Sequence, residues 1–280
     1  MSNIVARSFQ TEAAPYTLPN DASEWERLDD LHNGWKAYLD HKLSYAPLVE
    51  NAEQILEIGA GSGAWAIQAA ETYPNATVVA TDISPLPPRP LPPNVRFQKV
   101  NIIEKELPFK PGTFDIIHAR LLFIHLPDWE DILERVITLL KPGGWLLVED
   151  VDHFVFEESG NVPPGTQEFF DVYNAYNVAQ KVDPMAGSKL APALRRTNQF
   201  SKVNAVEIHC PFRGGSKDPN LNAVGRVMES SLRRVYQAVK PELVTAGLTA
   251  ELQRRLIEEV DDPEVGSLYM KFYMTWSMKT

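Results

Sequence analysis

The chain has 280 residues, 44% of them hydrophobic, enough to bury one large core or a core with a small cap. Its 27 basic and 37 acidic residues leave a net charge of −10, which repels polyphosphate and argues against nucleic-acid or anionic-membrane partners. Cys210 is the only cysteine, excluding intrachain disulfides, zinc clusters and three-cysteine iron–sulfur sites, and the absence of an apolar span or leader pattern leads us to expect a cytoplasmic protein.

Residues 1–21 are polar and proline-punctuated and read as a loosely held arm. Ser23 is placed to cap a helix through Trp25, Leu28, Leu31, Trp35, Tyr38 and Leu39, with a broad aromatic face. Ile55, Leu56 and Ile58 form a short buried strand, and Gly59, Gly61 and Gly63 follow it without side chains to obstruct a ligand. Ala66, Ala69, Ala70 and Tyr73 recur at helical spacing from Ala64 onward, so a helix N-terminus points its free N–H groups at the same turn. The next strand, Thr77 to Ala80, leads to Asp82, about twenty residues past the glycines, where a carboxylate can take both hydroxyls of a ribose. Strand, glycine turn, helix, strand and acid together specify a cofactor with an adenosine end. Gly59, Gly61 and Ala64 also satisfy the dinucleotide fingerprint; Glu57, facing a pyrophosphate unfavourably, and Trp65, a large ring early in the helix, tilt the choice away from NAD.

Residues 83–93 hold six prolines and form a rigid connector in place of a regular helix. Val95 to Val100 is a third strand, with Asn101 at its ligand-facing end; Asn101 either meets the cofactor or closes a turn. Phe114 to Arg120 is a fourth strand that brings His118 and Arg120 towards the cofactor or the substrate, although a buried structural role for His118 fits equally. A helix opens near Asp128, carries Ile132, Leu133, Val136, Ile137 and Leu140 on one face, and ends at Lys141-Pro142-Gly143-Gly144. Trp145 to Val148 is the fifth strand. Just past it, Glu149-Asp150-Val151-Asp152-His153 is either an acid–base cluster or a solvated loop.

Residues 161–186 carry Phe169, Phe170, Tyr173, Tyr176, Val178 and Met185, an aromatic segment suited to roof a pocket or to pack a core. A helix follows over 190–200, then a strand over 203–212, a turn at Arg213 to Ser216, and helices over 221–260 broken near Pro241 and Gly247. Leu268 to Met278 is the last strand, expected antiparallel to 203–212.

Glu57-x-Gly59-x-Gly61-x-Gly63 followed by Trp65-Ala66-Ile67, Asp82-Ile83-Ser84-Pro85, Pro92-Pro93-Asn94-Val95-Arg96-Phe97 and Lys141-Pro142-Gly143-Gly144-Trp145 resemble class I S-adenosylmethionine (SAM) methyltransferases, in particular the fungal LaeA-like branch. The resemblance covers about residues 25 to 155 and, more faintly, the last two strands. It implies an α/β fold: a Rossmann-like, mostly parallel seven-stranded sheet with helices on both faces, an antiparallel last strand and helical cap insertions. We expect one domain over 1–280, with an arm and cap helices (1–48), a SAM-binding core (49–155), cap insertions (156–200 and 213–266) and two closing strands (201–212 and 267–280).

In such a protein Glu57 and the turn of Gly59, Ala60, Gly61 and Gly63 would hold the methionine end of SAM, Asp82 the ribose, and Asn101 and Ile102 the adenine, with Trp65 and Ile83 also at the cofactor. His118 and Arg120 complete the expected cofactor set, and S-adenosylhomocysteine (SAH) is the product. His153, His125 and Asp152 are the candidates for a general base. The histidines at 32, 41, 118, 125, 153 and 209 show no zinc spacing, so no metal site is expected. The expected activity is methyl transfer to oxygen or nitrogen of a small molecule, a specialised metabolite, by a monomer or homodimer. The alternatives are a LaeA-like regulator that binds SAM and acts through nuclear protein partners, and an NAD-dependent oxidoreductase.

Overall fold

The computed structural model describes residues 22–236 and 241–280; the expected arm at 1–21 lies outside them. Seven strands form one sheet in the order β3-β2-β1-β4-β5-β7-β6. They are β1 (Gln54–Ile58), β2 (Thr77–Asp82), β3 (Val95–Lys99), β4 (Phe114–Arg120), β5 (Leu140–Glu157), β6 (Phe200–Pro211) and β7 (Leu268–Lys279). The first five are mutually parallel; β7 runs antiparallel between β5 and β6, as the resemblance implies.

Parallel strands covered on both faces need apolar residues in unbroken runs, which is why Ile55-Leu56, Ile116-Ile117 and Leu146-Leu147-Val148 are fully buried. One face packs α2 (Ala64–Thr72); on the other, α3 (Trp129–Leu139) packs through Ile132, Leu133, Val136 and Ile137. Helices α4 (Pro164–Ala179), α5 (Ala186–Arg196), α6 (Pro219–Tyr236), α7 (Pro241–Thr245) and α8 (Ala250–Asp261) follow β5, before and after β6. The strand order reverses between β1 and β4, which opens a crevice at the carboxyl ends of those strands. No helix among the described residues is long and apolar enough to cross a membrane.

Three expectations change. Helix α1 (Ala22–Tyr38) contains Ser23 within its first turn instead of being capped by it, and it is the only helix among described residues 22–48. Helix α3 ends at Leu139, just before Lys141 to Gly144 as expected, but β5 already begins at Leu140, so the stretch is a bulge inside that strand, between the Phe114–Leu140 and Ile116–Trp145 pairs, with Gly143 at φ 77°. Residues 149–153 are no solvated loop: β5 continues through them because β7 supplies an antiparallel partner. Glu149, Asp150, Asp152 and His153 are all buried. A second bulge falls between Val151 and Val155. There the His153 N–H donates to Pro184 O (2.8 Å) and its carbonyl accepts from Asn174 Nδ2 (2.6 Å), so the strand leaves β7 without orphaning its backbone.

Candidate active site

The crevice at the reversal point is roofed by α1 and floored by the strand ends. It is lined by the glycine turn, Asp82, Ile83, Asn101 and Ile102 at one end, and by His125, Val151, His153, Tyr173 and Met270 at the other. Gly61 adopts φ 55°, a left-handed conformation that favours glycine, and a Cβ there would press on the tip of the Leu28 side chain of α1, 2.9 Å from Cδ1. Its N–H donates to Asp82 Oδ2 at 2.9 Å, while Ser84 N–H donates to Oδ1 at 2.9 Å. Burial pushes the Asp82 carboxyl up from the usual range, and these N–H groups oppose that rise. Arg89 of the proline-rich connector forms a 2.5 Å ion pair with Asp29, tying that connector to α1 above the turn. Asn101 closes its own turn, accepting from Ile103 N–H at 3.2 Å, and still lines the crevice, so both of its expected roles are compatible. Gly63 differs from the other glycines: it stands at φ 78° as the N-cap of α2 and does not line the crevice.

Beneath this turn lies a buried row of ionisable groups. Glu57 on β1, His118 on β4 and Glu149 on β5 lie side by side, with His118 ring nitrogens 3.7 Å from Glu57 Oε1 and 3.8 Å from Glu149 Oε2. Trp65 stacks on the His118 ring at 3.8 Å between centroids and 7° between planes. Arg120 Nε donates to Glu149 Oε2 at 2.5 Å, and its Nη1 lies 3.4 Å from His32 Nδ1 on α1. Burial would raise the Glu149 carboxyl, but Arg120 and His118 override it and hold it at about 2. His32 is held at about 3, first by burial and then by Arg120.

At the far end, the rings of His125 and His153 lie 5.7 Å apart, and His153 meets Tyr173 edge-on at 5.3 Å. Burial, reinforced by Arg27 of α1, lowers His125 to about 4; burial, reinforced by His125, lowers His153 to about 3. Both imidazoles are therefore neutral at neutral pH. His153 Nδ1 is buried without a hydrogen-bond partner. His125 ends a 3₁₀ turn, Phe123–His125, whose preceding Leu121 takes φ 51°. Asp150 holds that turn: its carboxyl accepts from Ile124 N–H (3.2 Å) and Val151 N–H (3.0 Å). Burial raises the Asp150 carboxyl to about 7 against these donors.

Asp152 is not at the site. Strand alternation turns its carboxylate away from the crevice to the first turn of α5, where it accepts from Ser188 N–H at 3.0 Å. The other expected side chains, Glu57, Trp65, Asp82, His118, Arg120, His125 and His153, all line the crevice together with Ala60 and Ile83. Of the aromatic segment, Phe169 and Phe170 pack in the core and only Tyr173 reaches the crevice. Glu24, Arg27 and His32 of α1, Leu122, Met228 and Met270 line it as well. Glu24 and Arg27 could have been noticed in the sequence as charges breaking the apolar stripe of α1; Met228 and Met270 carry no local signal.

This sheet order, with a glycine turn after β1 and a partly buried acid at the end of β2, is that of a class I methyltransferase. The chain belongs to the methyltransferase-domain family, whose model matches residues 31–209. It is 42% identical to methyltransferase str2 of Strobilurus tenacellus over 88% of this chain and 89% of that protein. To methyltransferase str3 of the same organism it is 41% identical, over 95% and 96%. The secondary metabolism regulator LAE1 of Cochliobolus heterostrophus is 26% identical over 80% of this chain and 75% of its own. A geranyl diphosphate methyltransferase solved with SAM covers 98% of this chain and 97% of its own at a TM-score of 0.50 and 14% identity, a likeness of fold. The protein is thus a SAM-dependent methyltransferase, and the oxidoreductase alternative falls. The residues present fit that cofactor: Gly59 and Gly61 line the crevice without side chains of their own, and Glu57 Oε2 is buried beside them with no hydrogen-bond partner.

Proposed function

We propose that the chain methylates a hydroxyl oxygen of a small, largely apolar molecule of secondary metabolism. The observation that carries the reading is the unpartnered Nδ1 of His153, buried beside neutral His125 at the apolar end of the crevice. In this reading Glu57 and residues 59–61 hold the methionine end of SAM, Asp82 and Ile83 the ribose, and Asn101 and Ile102 the adenine. Bound there, SAM supplies a methyl group on a positively charged sulfur.

Leu31, Leu126, Val151, Tyr173 and Met270 line the remaining space, exclude water and orient the acceptor. His153 Nδ1 or His125 accepts the acceptor's O–H. Free hydroxyls hold their proton too tightly for an imidazole whose conjugate acid is as strong as these. Once the oxygen lone pair begins to bond to carbon, the same proton becomes strongly acidic and passes to the ring nitrogen. An imidazole kept neutral by burial is ready to receive it at neutral pH. The name of the LAE1 relative supports the metabolic setting.

Incubation with SAM carrying a deuterated methyl group and a panel of phenols, enols, carboxylic acids and amines, read by mass spectrometry, tests the proposal. The label should appear on oxygen. His153→Asn should lower turnover by about a hundredfold while leaving SAH affinity within about twofold. Labelling of amines alone, or full turnover in both His153→Asn and His125→Asn, would overturn it.

A further inference from the structure

Among the described residues, four buried polar atoms without a hydrogen-bond partner fall in one place: Glu57 Oε2, both ring nitrogens of His118, and Glu149 Oε1. A histidine serving only to fill a core satisfies its nitrogens. Here each faces a carboxylate oxygen at 3.7 or 3.8 Å, just beyond hydrogen-bond reach. The ring cannot rotate out of this position, because Trp65 covers one face in parallel contact and no part of the residue is exposed. The two carboxylates are not equivalent. Glu149 has its countercharge in Arg120, at 2.5 Å. Glu57 forms no ion pair with a Lys or Arg among the described residues, and its Oε2 is buried without a hydrogen-bond partner beside the glycine turn.

We propose that His118 is a positioning residue for donor binding: wedged between Glu57 and Glu149 and stacked on Trp65, it aims the free oxygen of Glu57 at the ammonium group of the donor. His118 then never touches the donor itself. It acts by fixing the carboxylate that does, while Glu149 and Arg120 hold its other side. The inference rests on the role given to Glu57 above.

Calorimetry with two ligands tests it: SAH, which carries the amino-acid end, and 5′-methylthioadenosine, which lacks it. His118→Phe keeps a ring on Trp65 and removes both nitrogens; His118→Gln keeps polarity and guards against misfolding, and thermal unfolding checks each variant. Either variant should bind SAH at least about tenfold more weakly while 5′-methylthioadenosine changes by less than about twofold. Glu57→Gln should show the same selective loss. Equal losses for both ligands would reduce His118 to packing, and unchanged SAH binding in the His118 variants would remove it from the mechanism. No selective loss in Glu57→Gln would overturn the role of Glu57 and this proposal with it, whereas a loss confined to Glu57→Gln would overturn the proposal alone.

Discussion

Replacing Asp82 by Ala separates the two tasks of one carboxylate. Its oxygens accept N–H groups from Gly61 and Ser84, each at 2.9 Å, so they shape the glycine turn even without a ligand. A hydrogen bond to a charged acceptor contributes about 1.5–3 kcal/mol. Because Gly61 and Ser84 line an open crevice, water can replace the lost partner, and the free protein should lose only about 1–2 kcal/mol of stability. A bound ribose would displace that water and have no such replacement. Losing even one of its charge-assisted bonds, at about 1.4 kcal/mol per factor of ten, weakens SAH binding by more than about tenfold. Calorimetry with SAH, and with adenosine against 2′,3′-dideoxyadenosine, isolates this contribution: the wild-type chain should prefer adenosine, and Asp82→Ala should not. Urea unfolding measures the stability effect separately. Unchanged SAH affinity, or a loss that leaves the preference for adenosine intact, would refute the assignment of Asp82 to the ribose.

Acid should destabilise the protein through its buried imidazoles. His125 and His153 titrate at about 4 and about 3 when folded, against 6.5 unfolded, so below pH 6.5 the unfolded chain takes up protons that the folded chain refuses. Stability therefore falls as the pH drops from 6.5, by up to about 1.4 kcal/mol per pH unit for each group, and His153→Asn should flatten the slope by one such increment in urea titrations. Asp150, raised to about 7, works in the opposite sense: the folded chain binds its proton more tightly, so its contribution is greatest near pH 4 and is lost as the pH rises to 7. Asp150→Asn should accordingly destabilise the protein more at pH 5 than at pH 8, and an equal penalty at both would contradict the raised titration. Gly61→Ala combines a left-handed backbone with a Cβ only 2.9 Å from Leu28. It should cost about 1–2 kcal/mol in urea unfolding and weaken SAH binding, and an unstrained variant would show that α1 moves aside freely.

Several features were decided by local chemistry and could be read residue by residue. A buried strand, three glycines and an apolar helical stripe leave little conformational choice between residues 54 and 72, and the observed β1 and α2 match that reading closely. Asp82 and Asn101 were legible for the same reason: chain direction puts the end of every parallel strand at one edge, whatever the rest of the fold does.

The run from Glu149 to His153 was not legible, because four polar residues in five read as solvent-facing until a partner strand is present. That partner, β7, lies more than a hundred residues away and pairs with Glu149 to Val151, while Pro184 and Asn174 take the backbone of His153 where the strand leaves it. Strand alternation and one bulge then assign the side chains to different tasks. Glu149 joins the row beneath the donor turn, Asp150 holds the turn that carries His125, Asp152 caps α5, and only His153 enters the crevice with a free nitrogen. The sequence by itself determined where a cofactor with an adenosine end sits, since that turn is specified by the backbone needs of a few consecutive residues, while the choice of SAM over NAD came from Glu57, Trp65 and the family resemblance. Only the tertiary structure decided which ionisable groups enter the crevice, because the side on which a polar residue emerges depends on the register of strands and helices remote from it in the chain.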